Sequence, residues 1–144
     1  MKEYYLAGEK FETLSDFFSE FASMIHGKGK TSEKFGEAGY FGRSIQAFDD
    51  CLFGGFGLES PCEIIWGKSN ISKINLNHEV YSKWCRSQIE AKEYLDEEGL
   101  EFLISEEAKA KKSEGITMFD FLVDLISTVD KRSKGQVKVK LTLK

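Results

Sequence analysis

Two adjacent carboxylates, Asp49 and Asp50, are the residues of this chain whose type and spacing first suggest chemistry. Paired acids can act as general acid and base, but neighbours on a helix project about 100° apart and need a third group to converge on one bond. Neither His26 nor His78 stands in a nucleophile signature or at metal-ligand spacing. The sequence therefore predicts that the chain is not an enzyme and uses no metal or other cofactor. The acids are expected to bind, or to be ordinary surface carboxylates.

The segment around these acids has the pattern of a short helix with two faces. Ser44 is placed to cap the free amides of its first turn. Helical spacing puts one apolar stripe on the core side, formed by Ile45, Phe48, Cys51 and Leu52. The opposite face, toward solvent or a partner, consists of Gln46, Asp49, Asp50 and Phe53.

This segment also resembles the inhibitory loop and helix of the barstar family, which are intracellular inhibitors of ribonucleases. The matching residues are Tyr40, Phe41, Gly42, Ala47, Asp50, Cys51, Leu52 and Gly54. Residues 4–21 look like the first strand, turn and helix of that family, and residues 62–68 like its second strand. Residues 118–143 are similar in layout to its last helix and strand.

In the barstar family, the helix and its preceding loop plug a ribonuclease active site and place carboxylates where substrate phosphates bind. Carboxylates suit this role because they accept charge-assisted hydrogen bonds from the cations of such a cleft. The resemblance implies that Asp50 is the principal inhibitory carboxylate, Tyr40 the loop tyrosine, and Gly42 and Gly54 the turn glycines. Asp130 is the candidate for a late acidic contact of the family.

The chain departs from the family at several contacts. Gln46 replaces a second aspartate and Asp49 replaces a contact tryptophan, while Arg43 and Gly55 replace a glutamate and a further tryptophan. Lost acidic and aromatic anchors point to a changed partner. The full set of predicted partner-binding residues is Tyr40, Gly42, Gln46, Asp49, Asp50, Phe53, Gly54 and Asp130.

The resemblance implies a proteinaceous inhibitor of a ribonuclease toxin, the immunity protein of a bacterial toxin. Its expected partner is a ribonuclease or related toxin domain. The alternative is an immunity-type or regulatory module whose partner is not a nuclease, or is bound at an exosite through additional helices at residues 69–115.

The predicted fold class is α/β, with a barstar-like small three-stranded parallel sheet packed with helices, in one domain over residues 1–144. The strand candidates are residues 3–7, residues 62–66 and the alternating stretch 137–143. Intervening helices suggest right-handed crossovers. The continuous apolar run at 62–66 predicts a strand covered on both faces.

Residues 69–115 form a helical insertion relative to the family, with one or two amphipathic helices expected within residues 80–103. Its apolar side packs against the domain or forms a partner-specific surface. The residues on that side are Tyr81, Trp84, Cys85, Ile89, Tyr94 and Leu95.

Composition limits the remaining possibilities. The net charge of −4 disfavours direct nucleic-acid binding, although residues 131–144 are basic and form either a strand face or a small phosphate site. No run approaches the roughly 20 apolar residues that span a bilayer, and no secretory signal is recognisable, so a cytoplasmic protein without membrane contact is predicted. The three cysteines are expected to be buried and reduced.

Overall fold

A three-stranded parallel sheet forms the centre of the fold. The computed structural model describes residues 1–26, 44–53, 58–91 and 95–144. The strands are β1 (Lys2–Ala7), β2 (Cys62–Gly67) and β3 (Val139–Leu143), in the order β1-β2-β3. Both pairings are parallel. The predicted α/β class and the parallel three-stranded sheet are confirmed.

Seven α-helices accompany the sheet in the described part of the chain. They are α1 (Leu14–His26), α2 (Ile45–Leu52), α3 (Ser69–Asn75), α4 (His78–Ala91), α5 (Glu97–Lys111), α6 (Met118–Ser127) and α7 (Val129–Arg132). Residues 69–115 therefore hold three helices, and two of them, α4 and α5, cover residues 80–103, where one or two were expected. The additional helix, α3, is short and mostly polar, so it lacks the apolar periodicity from which a helix is predicted.

One face of the sheet carries the hydrophobic core. Leu6, Ile64 and Trp66 point from it and are fully buried. Phe17 of α1 lies 5.5 Å from the Trp66 ring and 5.3 Å from the ring of Phe48 in α2, measured between centroids. Aromatic contacts of this kind add to the free energy gained by burial. They fix α1 and α2 against this face.

The other face of the sheet is partly open to solvent. Along β2 the side chains alternate between buried Ile64 and Trp66 and partly exposed Glu63 and Ile65. Tyr5 of β1 is 61% exposed. The prediction that residues 62–66 are covered on both faces is therefore wrong for this second face. An apolar run does not reveal that alternate side chains of a strand meet different environments.

Helices α4 and α5 pack against each other and are joined by a partly buried ion pair between an exposed arginine and a buried glutamate. Arg86 donates to both Glu107 carboxylate oxygens, at 2.7 and 2.5 Å, and Glu107 is only 5% exposed. These hydrogen bonds lower the pKa of Glu107 below its ordinary value, although burial opposes the shift. The pair holds the two helices in register.

The apolar side of residues 69–115 packs against the core, which is the first of the two alternatives that the sequence left open. Tyr81, Cys85 and Ile89 are buried, and Trp84 and Leu95 pack partly buried against the core. Tyr94, also predicted there, lies outside the described residues.

The cysteines agree with the sequence prediction. Cys51, Cys62 and Cys85 are free and buried. Burial raises the pKa of the Cys51 thiol to about 12 and those of Cys62 and Cys85 to about 11. These thiols are therefore held in the protonated form at neutral pH. Within the described ranges, no helix has the length and apolar character needed to cross a membrane.

Candidate functional site

The candidate site is the outer face of α2, and local sequence fixes its orientation. The Ser44 hydroxyl accepts a hydrogen bond from the Ala47 amide at 3.0 Å, which caps the helix as predicted. The buried side is the predicted stripe of Ile45, Phe48, Cys51 and Leu52. Because this stripe is locked into the core, the opposite face has a defined direction.

The predicted outer face is exposed to solvent to different degrees. Gln46 and Asp50 are exposed, Asp49 is partly exposed, and Phe53, just after the helix, is 40% exposed. The separation into two faces is confirmed. The environments of the two neighbouring aspartates differ, however, and this difference decides what the face can bind.

Asp49 is held by an arginine that sequence reasoning did not identify. Arg132 donates from Nη1 to Oδ2 at 3.0 Å and from Nη2 to Oδ1 at 2.8 Å. This is the bidentate geometry that makes arginine–carboxylate pairs strong and directional. The charge of Asp49 is thus compensated within the chain.

Arg132 makes further contacts that connect α2 with the end of α6. Its Nε donates to Thr128 Oγ1 at 3.0 Å and its Nη2 to the Leu125 carbonyl at 2.7 Å. The guanidinium carbon also lies 5.2 Å from the centre of the Phe53 ring, within cation–π range. Arg132 therefore restrains both Asp49 and Phe53. We call Asp49, Phe53, Thr128 and Arg132 the arginine clamp.

Asp50 has no such compensation from the residues that the structure describes. Its carboxylate makes no hydrogen bond or ion pair with any other residue in the described part of the chain. It lies on a capped helix whose other side is buried, so it is both exposed and held in place. Of the two predicted acids, Asp50 is the one that offers an uncompensated charge to a partner.

Gln46 connects the outer face to α4, because its side-chain amide donates to Gln88 Oε1 at 2.9 Å. Beside this contact lies a groove of about 540 Å³ between the starts of α1 and α2 and one side of α4. Its lining includes Phe18, Ile45 and Trp84. An apolar recess therefore borders the polar face of α2.

Asp130 is exposed on α7, two positions before Arg132. Its backbone carbonyl accepts from the Gly135 amide at 2.8 Å and from the Ser133 hydroxyl at 3.1 Å, which orders the chain after α7. Its carboxylate makes no hydrogen bond or ion pair with the residues that the structure describes. Asp130 thus belongs to the same short helix as the arginine of the clamp, and its partner contact stays a prediction.

Three predicted site residues, Tyr40, Gly42 and Gly54, lie outside the described residues. The loop half of the predicted site is therefore carried by sequence alone. Across the described ranges, no cluster of three histidine, cysteine or acidic side chains has an arrangement that would hold a metal ion.

Fold and site together define a mixed α/β protein in which a short helix presents two carboxylates to solvent, of which Asp49 is paired and Asp50 has no partner within the described ranges. Comparisons with protein-family models, curated proteins and solved structures gave no match to this chain.

Proposed function

We propose that this chain is a barstar-like inhibitor that binds a ribonuclease toxin and blocks its active site, acting as an immunity protein in the cytoplasm of the bacterium that makes the toxin. The observation that carries the proposal is Asp50, an exposed carboxylate on a helix held in the core, with no charge partner among the residues that the structure describes. It is also the residue that the family resemblance assigns to inhibition.

The physical basis is charge mimicry. A ribonuclease cleft gathers cationic side chains to hold phosphate, and a carboxylate presented at the same place accepts hydrogen bonds from them. The cap at Ser44 and the buried stripe of α2 support this role because they place Asp50 before binding. A preorganised contact loses less conformational entropy when the complex forms.

The arginine clamp bears on partner choice. Asp49 stands where the family has a contact tryptophan, and its charge is neutralised by Arg132. A nuclease cleft that binds two unpaired carboxylates on this helix would therefore lose the contact with Asp49. We propose that the partner binds Asp50 and the aromatic edge of Phe53. Related nucleases that also need a carboxylate at position 49 would bind more weakly.

The test combines capture with inhibition. The native chain and Asp50→Lys are immobilised, incubated with protein from the source organism, and the retained proteins are identified by mass spectrometry. Each retained nuclease is purified and its RNA cleavage is titrated with native chain, Asp50→Ala and Asp50→Lys. Glu101→Lys, an exposed charge reversal on α5, is the matched control.

The expected result is inhibition by the native chain and by Glu101→Lys, with the inhibition constant raised more than about thirtyfold by Asp50→Lys, as for an interface hot spot. Inhibition that is equal for native chain and Asp50→Lys would refute the role of α2. Retention of partners without any nuclease among them would refute the proposed function itself.

The apolar groove favours a second candidate, an immunity-type or regulatory module whose partner is bound beside the inserted helices. Trp84 in its lining stacks on Tyr81 and lies 4.9 Å from the Phe121 ring, so it is preorganised. Ser87→Arg places a large charged side chain at this groove from an exposed position. Loss of the captured partner with Ser87→Arg, but not with Asp50→Lys, would select this candidate.

A further inference from the structure

The second face of the sheet carries two ordered rows of side chains. Strand register places Glu3, Glu63 and Lys140 in one row, because paired residues of parallel strands point to the same side. The adjacent row on the same face contains Tyr5, Ile65 and Thr142. Glu3, Tyr5 and Lys140 are exposed.

An open face is unusual for a parallel sheet, because such sheets are almost always covered on both sides. Here the exposed face is also partly apolar. Tyr5 lies directly over Gly67, where a Cβ atom would overlap the tyrosine hydroxyl, and Ile65 lies beside it. The surface therefore has the character of one that becomes covered by another protein surface.

The charges at the two edges of this face, but not the one at its centre, are complementary to those of a second copy. Negative Glu3 lies on the β1 edge and positive Lys140 on the β3 edge, at the same height along the strands. In the centre, Glu63 accepts a hydrogen bond from Thr142 at 2.6 Å and lies 4.0 Å from the Lys140 ammonium. The face thus has an acidic and a basic edge.

A twofold axis parallel to the strands would place β1 of one copy against β3 of the other. Each residue would keep its position along the strand direction. Glu3 then faces Lys140 of the partner subunit, and Tyr5 faces Thr142 of the partner subunit. Ile65 meets its own equivalent on the axis. The Glu3–Lys140 contact therefore occurs twice, as in any isologous interface.

We propose that the chain forms a twofold dimer through this open sheet face. The area of the face follows from its dimensions. Three strands spaced by about 4.8 Å give its width, and five residues with a rise of about 3.3 Å per residue give its length, so its area is roughly 240 Å². This is well below the roughly 800 Å² per partner of a standard interface. We therefore expect a weak dimer, and its detection requires concentrations up to the millimolar range. Glu63 weakens the dimer, because its carboxylate would face the Glu63 carboxylate of the second copy across the twofold axis.

The proposal does not depend on the inhibitory role. Helix α2 packs toward the other face of the sheet, through the rings of Phe48, Phe17 and Trp66. A dimer through the open face therefore leaves the outer side of α2 accessible in both copies.

Sedimentation equilibrium of the full chain, from low micromolar to millimolar concentration, tests the proposal. Lys140→Glu and Glu3→Lys should each raise the dimer dissociation constant about tenfold, since each substitution replaces two attractive pairs by repulsive ones. The double variant exchanges the charges and should restore the native value. Glu63→Gln should tighten the dimer. Lys112→Glu and Glu101→Lys are the controls, because they change the same charges on the exposed surface of α5 and just after it.

A native chain that is monomeric at every concentration would overturn the proposal and leave this face to a different partner. A dimer that responds equally to the control variants would overturn the assignment of the face. Failure of the double variant to recover association would exclude the twofold arrangement. Circular dichroism establishes that each variant is folded before its association is interpreted.

Discussion

The arginine clamp should contribute measurably to stability, and a double-mutant cycle between Asp49 and Arg132 isolates that contribution. The perturbations are Asp49→Ala, Arg132→Ala and the double variant. The helix propensity gained by replacing an aspartate in α2 appears in both the single and the double variant, so it cancels in the coupling energy.

The magnitude follows from the contacts. The two side chains are 28% and 31% exposed and joined by two hydrogen bonds, which places the pair near the upper end of surface ion pairs, at about 1 kcal/mol. Arg132→Ala additionally loses the Phe53 contact, about 0.5–1 kcal/mol, and the bond to the Leu125 carbonyl, about 1 kcal/mol. We expect Arg132→Ala to destabilise by about 2–3 kcal/mol and the coupling energy to be about 1 kcal/mol.

Equilibrium urea unfolding followed by tryptophan fluorescence gives the four free energies of unfolding. The control cycle is the Glu79–Lys83 pair on α4, which has a single contact at 3.2 Å and is largely exposed. Its coupling should be only about 0.3 kcal/mol. A clamp coupling no larger than this control would show that Arg132 does not hold α2 and would refute the reasoning.

Two further predictions concern protonation. Because Arg86 lowers the pKa of Glu107 below its ordinary 4.5, the pair stabilises the fold fully above that value, and this stability is lost as pH falls through the folded-state pKa. Urea unfolding across this acid range should show a flatter pH dependence for Glu107→Gln than for the native chain. An equal pH dependence of the unfolding free energy in Glu107→Gln and the native chain would contradict this role of the Arg86–Glu107 pair. The buried thiols, with pKa values raised to about 11–12, should react with a disulfide reagent far more slowly in the native chain than in guanidinium. Rapid native labelling of Cys51 would contradict its burial in α2.

The two faces of α2 were predictable because their determinants are local. A capping serine and apolar residues at helical spacing specify where the helix begins and which side is buried. The end of the chain was predictable in kind but not in extent. β3 begins at Val139, because the Val137 amide donates to the Ser133 hydroxyl at 2.9 Å and not to a neighbouring strand.

Arg132 could not be assigned from the sequence, since it lies 83 positions from Asp49. The basic character of residues 131–144 was visible, but which cation folds back onto α2 depends on the packing of α6 against that helix. The open sheet face was missed for a similar reason. Strand composition predicts burial, whereas coverage of the second face depends on where the helices pack.

The arginine clamp makes the two adjacent aspartates differ in their availability to a partner. By charge alone they are equivalent anions, and a partner would be expected to supply a cation for each. With Asp49 occupied, a partner cation that sought it would have to displace a guanidinium already held by four hydrogen bonds and an aromatic contact. Such an exchange yields little net free energy, because one arginine–carboxylate pair replaces another. Among the residues that the structure describes, Asp50 has no such cation. The pairing of Asp49 with Arg132 therefore leaves Asp50 as the carboxylate of this helix that a partner can bind.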